Sequence, residues 1–227
     1  LLLTGCGTSA PSPSSSPSAP EELRGRDAGV WRRVRDGGGG VAVGVDLTDA
    51  GATAAALRRV PGPVRAVVHC AGLVAGGPVA RTRPEELREL RDAKAGALRH
   101  VLDGIDTEEL RHLVVFGSVT ARAPHRHMGG YALANEVLRR ETLRLAPRLP
   151  HCATVVAEWS LWSGAGQAHA MGAVAQARRM GMVPVALRPG MAALSALLAR
   201  PAGPGHAEAL VLTGAGDPTF PPPGRVV

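Results

Sequence analysis

The sequence predicts an α/β chain built on an open, mostly parallel sheet. Two patterns carry that expectation. Short apolar runs at 64–69, 113–116, 153–157 and 210–213 read as buried strands, and longer stretches at 50–60, 84–103, from Tyr131 onward and at 189–200 read as helices between them. A third observation gives the sheet a working edge. Ser118 follows one of the apolar runs, which places its hydroxyl at the strand's carboxyl end, where open α/β sheets build their sites.

In chain order, residues 1–3 are apolar and read as a strand running into Thr4-Gly5-Cys6-Gly7. Residues 10–20 are a Ser/Pro tract, read as disordered, that cannot open a helix. A helix at 21–36 and a strand at 41–45 follow, the strand ending in Asp46-Leu47. The 50–60 helix and the turn Pro61-Gly62-Pro63 lead into strand 64–69, which ends in the small residues Cys70-Ala71-Gly72. Helix 84–103 opens on Pro84, a residue suited to a first helical turn; Leu87, Leu90 and Leu98 sit among its charged positions, and Lys94 falls inside it. Tyr131 opens the next helical pattern, so Asn135, at i+4, shares its face. Strand 153–157 runs into Glu158-Trp159-Ser160-Leu161-Trp162 and a glycine-rich turn. Residues 168–182, rich in Ala, Gly and Met, read as a mobile lid helix, and Pro221-Pro222-Pro223 reads as the start of a linker over 221–227.

Composition bounds the function. Hydrophobic residues make up 45% of the 227 and aromatics only 3%, so the core must be Ala, Val and Leu, at a length that suits one domain. The net charge is +7, but the arginines are scattered and no aromatics interleave them for base stacking. A solvated basic surface is expected rather than a nucleic-acid interface, and it would suit an acidic protein partner. No apolar run is long enough to span a membrane. Cys6, Cys70 and Cys152 form neither a disulfide framework nor a metal-ligand spacing, which points to a reducing cytoplasm. His125 and His127 lack a third ligand and read as surface histidines, so no metal is expected.

Tyr131, Asn135 and Lys94 are each the sole residue of their type in a chain with 26 basic residues. Around Ser118 they resemble the active site of the short-chain dehydrogenase/reductase superfamily, and more closely that of polyketide synthase ketoreductase domains. Those domains carry Tyr-x-x-x-Asn, with the lysine on the preceding helix. The segment Lys94-Ala95-Gly96-Ala97-Leu98 lies in their lysine helix, Val67-Val68-His69-Cys70-Ala71-Gly72 matches their V-x-H-x-A-G strand end, and Trp159-Ser160-Leu161-Trp162 matches W-G-x-W. The Phe116-Gly117-Ser118 spelling and the W-S-x-W-S-G run look most like the iterative, enediyne-type synthases.

The resemblance implies a Rossmann-like, doubly wound sheet with helices on both faces over residues 1–220. It also implies that Ser118, Tyr131, Asn135 and Lys94 are catalytic. Asp46 and Leu47 would lie beside the adenine of NADPH, Cys70, Ala71 and Gly72 beside the nicotinamide ribose, and Glu158, Trp159 and Trp162 around the acyl chain. The partners implied are a carrier-protein-bound β-ketoacyl substrate and other domains of the same synthase. Residues 1–7 admit two readings. As a first strand they would begin a phosphate-binding glycine turn, but no third glycine or helix follows. As a second strand they fit the spacing to 21–36 and 41–45, which leaves the first βα unit missing and puts Cys6 where the family's arginine grips the 2′-phosphate; this is the preferred reading.

The expected reaction is reduction of a β-ketoacyl thioester to the β-hydroxyacyl thioester. Two alternatives stand beside it: a catalytically inactive domain or fragment kept as a scaffold, and a free-standing reductase of a small ketone. Neither family marker of alcohol configuration is present: Leu73-Val74-Ala75 carries no Leu-Asp-Asp, and Ala123 stands where a tryptophan would.

Overall fold

The computed structural model describes residues 2–3, 43–123, 125–166, 169, 172–179, 181–203 and 207–215. The glycine turn with Cys6, the Ser/Pro tract, the 21–36 helix and the proline-rich linker lie outside the described residues.

Five strands form one parallel sheet in the order β1-β2-β3-β4-β7. They are β1 (Leu2–Leu3), β2 (Ala66–His69), β3 (His112–Ser118), β4 (Ala153–Trp159) and β7 (Ala207–Leu212). A second, two-stranded sheet pairs β5 (Trp162–Ser163) with β6 (Val185–Ala186). The helices are α1 (Ala50–Leu57), α2 (Pro84–Arg91), α3 (Ala97–Asp103), α4 (Gly129–Leu145), α5 (Ala173–Arg179) and α6 (Leu187–Leu198). Each begins or ends where local chemistry allows. Asp49 caps α1 by accepting from the Ala52 N–H at 3.0 Å, and α2 opens on Pro84 with Glu85 and Glu86 in the positive first turn.

Alternation along the strands puts helices on both faces. Val67, Leu113 and Val115 pack on one face with Leu98 and Val101 of α3 and Leu138 of α4. Their neighbours Val68 and Val114 join Val155 and Ala157 on the other face, against Leu194 and Leu197 of α6. β4 is buried along its whole length, as a central parallel strand should be. The doubly wound fold is therefore as expected.

Three expectations are corrected. β1 pairs directly with β2, Leu2 opposite Val68 and Leu3 opposite His69. In the order 3-2-1-4-5-6 of a doubly wound sheet, the neighbour of the fourth strand is the first. Residues 2–3 thus stand beside β2, where that order puts a first strand, rather than one place further out as the second-strand reading expects; Cys6 lies outside the described residues. Residues 43–45 join no ladder, so the strand expected at 41–45 is absent over its described part. Finally, helix 84–103 is not uniform. Between α2 and α3 the chain makes a π-helical turn, Asp92–Gly96, in which Ala93, Lys94, Ala95 and Gly96 are all buried. Four consecutive buried residues are more than one face of a regular helix offers; three of them are Ala or Gly, small enough to lie against α4. Of the expected lid, Ala173–Arg179 is helical, with Ala177 buried.

Among the described residues, no helix is long and apolar enough to cross a membrane, and no group of three His, Cys, Asp or Glu could hold a metal ion.

Candidate active site

The carboxyl ends of β2 and β3, the π-helical turn and the first turns of α4 converge. Ser118 ends β3 and caps the short helical turn Val119–Ala121. Its Oγ accepts from the Thr120 N–H at 3.2 Å and the Thr120 hydroxyl at 3.0 Å. Both bonds use oxygen lone pairs, so the Ser118 proton stays available to a third partner.

Tyr131 and Asn135 occupy successive turns of α4. Asn135 is buried, its Nδ2 donating to the Tyr131 carbonyl at 2.8 Å, while its Oδ1 is buried with no partner. Burial raises the Tyr131 pKa, and the Asn135 and Ser118 side chains pull in the opposite direction. The phenol is thus held neutral, as a proton donor. Lys94 comes in from the π-helical turn. It is 5% exposed, and its Nζ lies 5.5 Å from the Tyr131 ring centroid. Burial lowers its pKa to about 8, with Cys70 acting the other way, so at neutral pH it remains an ammonium.

Gly72 gives Lys94 its path. A Cβ on Gly72 would stand 2.8 Å from the lysine's Cγ, Cε and Nζ, and its φ of +157° is one that side chains rarely adopt. The structure therefore brings Ser118, Tyr131, Asn135, Lys94 and Gly72 together. Cys70 and Ala71 sit at the same strand end; burial pushes the Cys70 thiol up to about 12, which makes it chemically quiet.

The remaining expected residues are placed differently. Asp46 is exposed and its Oδ1 accepts from the Thr48 N–H and hydroxyl at 2.9 and 2.7 Å, so it shapes its own turn. Leu47 belongs to the apolar core, and its carbonyl meets His100 Nδ1 at 2.9 Å. Phe116 packs against Trp159 in a tilted pair at 5.3 Å and stacks with Trp162 at 6.3 Å, on the α6 side of the sheet. Trp162 lies directly over Gly190, where a Cβ would come within 2.5 Å of the indole. Glu158 does not join them. Adjacent residues of a strand face opposite ways, and its fully buried carboxylate turns instead to Arg122, at 2.8 Å, and Arg139, at 3.9 Å.

Sequence reasoning did not single out Arg122, Arg139, Thr120 or the side chain of His69. The signal for His69 was an imidazole inside an apolar strand; it is fully buried, with Nε2 3.0 Å from the Lys94 carbonyl oxygen.

Known proteins carry the same arrangement of elements. The KR domain family model matches residues 25–164. The polyketide synthase GfsA of Streptomyces halstedii is 34% identical over 124 residues, 53% of this chain and 2% of that protein. GfsB of the same organism is 32% identical over 155 residues, 67% of this chain and 3% of that protein. The chain thus spans only a few per cent of the length of these synthases. Among solved structures, the ketoreductase from the first module of phoslactomycin biosynthesis in Streptomyces sp. HK803 superposes with a TM-score of 0.69 at 26% identity, covering 82% of this chain and 42% of that one. A short-chain dehydrogenase from Burkholderia cenocepacia, solved in complex with NADP, gives a TM-score of 0.69 at 22% identity, covering 86% and 84%. The match over more than half of its length shows that this chain belongs to the KR family, the ketoreductase domains of polyketide synthases.

Proposed function

We propose that the chain catalyses NADPH-dependent reduction of a β-keto group on a carrier-protein-bound acyl thioester, giving the β-hydroxyacyl thioester, as one domain of a larger synthase. The observation that carries this reading is the buried Lys94 ammonium over the Tyr131 ring, beside Ser118.

The residues present fit a nicotinamide group. Cys70-Ala71-Gly72 at the end of β2 offer small side chains at the edge where doubly wound sheets take dinucleotides, and Asn135 Oδ1 is a buried acceptor without a partner. Cys70, Ala71 and Gly72 would lie along its ribose, with the exposed Asp46 toward the adenine. The bound cofactor would supply a hydride to the carbonyl carbon.

The protein's own groups manage the oxygen. Ser118 uses its hydroxyl proton to orient the ketone, and Tyr131, kept neutral by burial, donates a second hydrogen bond and then its proton as negative charge develops. The phenolate left behind is costly in a buried site, and the Lys94 ammonium offsets that cost. Asn135 holds the main chain of the tyrosine's turn and offers its free oxygen to the ammonium or to a relay water.

The test is NADPH oxidation by the full chain with a β-ketoacyl thioester. Tyr131→Phe, which removes the transferable proton and leaves the ring, should cut kcat by ~10²–10⁴-fold with little change in stability. A folded wild-type chain that binds no NADPH and turns over no ketone would overturn the reading in favour of a scaffold.

A further inference from the structure

Lys94 is held at two points by one tetrapeptide. Gly72 makes room for its side chain, while His69, three residues earlier, reaches its main chain: the imidazole Nε2 lies 3.0 Å from the Lys94 carbonyl oxygen. A carbonyl can only accept, so Nε2 carries the proton and the neutral ring has a bare Nδ1. Nδ1 is buried with no partner, consistent with a ring used at one nitrogen only. Protonation is opposed by burial and by the Lys94 charge, which together push the His69 pKa down to about 4.

The gripped carbonyl lies at the place where the helix changes form. The i→i+4 ladder of α2 opens into the π-helical turn Asp92–Gly96, with Lys94 at its centre. Side chains that insert into a helical ladder are a recognised cause of such distortions, and π-helical turns gather at functional sites. A straight 84–103 helix would present position 94 at a different angle.

We infer that His69 is a positioning residue: its Nε2–H donates to the Lys94 carbonyl, holds the π-helical turn in register, and so directs the ammonium past Gly72 onto Tyr131. The inference rests on the reading of Lys94 and Tyr131 as the proton-transfer pair. Of the titratable groups packed at this point, Cys70 stays a thiol and Tyr131 a neutral phenol, which leaves Lys94 as the charge that His69 controls.

Because Lys94 is the only lysine in the chain, a protein labelled with ¹³Cε-lysine reports its titration without interference and without turnover. In the wild type the signal should titrate near 8. In His69→Leu, which fills the space but cannot donate, it should move up by about one pH unit or more as the ammonium gains water. His69→Gln, whose amide N–H can take the place of Nε2–H, should keep the wild-type value. In the alcohol-oxidation direction, the alkaline limb of kcat should rise in the Leu variant and return in Gln, while the ketone KM changes less than about threefold. An unmoved lysine titration in folded His69→Leu, or a Gln variant that behaves like Leu, would overturn the inference.

A second readout needs no variant. ¹⁵N-histidine spectra of the wild type should show His69 as the neutral Nε2–H tautomer at pH 7, whereas the Nδ1–H tautomer would refute the bond even if His69→Leu did not fold. Wild-type protein without ketone turnover, but with these signals as expected, would count against the proposed reaction and leave the His69–Lys94 contact standing.

Discussion

Lys94 and Glu158 are both buried charges beside the same sheet edge, and the protein treats them in opposite ways. Glu158 is surrounded by cations: Arg122 at 2.8 Å and Arg139 at 3.9 Å. Arg139 and Arg140 in turn bind Glu136 at 2.6 Å, which holds that carboxyl down at about 2. Among the described residues, no carboxylate lies within ion-pairing distance of Lys94. Its neighbours are a carbonyl-bound histidine, a thiol, a glycine and a phenol ring. A charge already neutralised by a partner has little field left for a developing phenolate, whereas an unpaired one keeps it. Glu158 ties the end of β4 to the turn after Ser118 and to α4, and the contrast supports the proposal that Lys94 serves the chemistry.

Removing each charge should therefore have opposite consequences. Lys94→Met should lower ketone turnover by ~100-fold or more and yet leave the fold as stable at pH 7, or more so, because a buried unpaired ammonium is replaced by an apolar side chain of similar length. The pH dependence sharpens this. The folded pKa of Lys94, about 8, lies below its ordinary value of 10.5. Between them the unfolded chain binds the proton and the folded chain does not, so the Lys94 contribution to stability rises with pH. It should grow by about 1 kcal/mol from pH 8 to 9; the buried Cys70 and Cys152 thiols, whose raised pKa values work against stability over the same range, are present in Lys94→Met as well, so the rise should appear as the difference between the two proteins. Urea titrations at pH 7, 8 and 9 would measure it.

On the other side of the comparison, the order of effects should invert. Arg122→Ala leaves Glu158 buried with only the more distant Arg139, and should cost about 2 kcal/mol, less than breaking a fully buried pair because the Arg122 side chain is itself 41% exposed. Glu158→Gln keeps shape and a hydrogen-bonding group and should fall within about 1 kcal/mol of wild type. Burial already raises the Glu158 pKa despite its partners. The folded state therefore holds this proton more tightly than the unfolded state, and stability contributed by it is lost as pH rises through the raised value. With Arg122 removed that window should extend upward, so the Arg122→Ala deficit should shrink on moving from pH 7 to pH 5. A deficit that does not change with pH would mean that Arg122 acts through packing instead.

The same contrast explains what the sequence revealed and what it hid. Strands β2, β3 and β4 were legible because parallel strands buried on both faces are continuous apolar runs, and Asn135 was legible from Tyr131 because i+4 fixes a shared helix face. The π-helical turn was not: Asp92-Ala-Lys-Ala-Gly96 has no periodicity to break, and the histidine that meets its central carbonyl lies 25 residues away. The place of β1 was hidden for a similar reason, since two leucines carry no register and only pairing with Val68 and His69 locates them. Glu158 could have been separated from Trp159 by the two-residue period of the strand they share. The motif that groups them conceals that they face opposite ways.

The smallest effect serves as the reference for the others. Arg88 and Glu85 on α2 pair at 2.9 Å, as closely as Arg122 and Glu158, but their side chains are 61% and 63% exposed. Water and salt screen such a pair, and ordering two long side chains costs entropy that the contact barely offsets. Arg88→Ala should shift stability by less than about 0.5 kcal/mol, and should do so less at high salt. The pairs are nearly equal in length, 2.9 and 2.8 Å, but Glu85 is 63% exposed and Glu158 1%. A loss for Arg88→Ala approaching that of Arg122→Ala in parallel thermal melts would mean that burial is not what makes the Glu158 cluster matter, and the distinction drawn between the two buried charges would lose its physical basis.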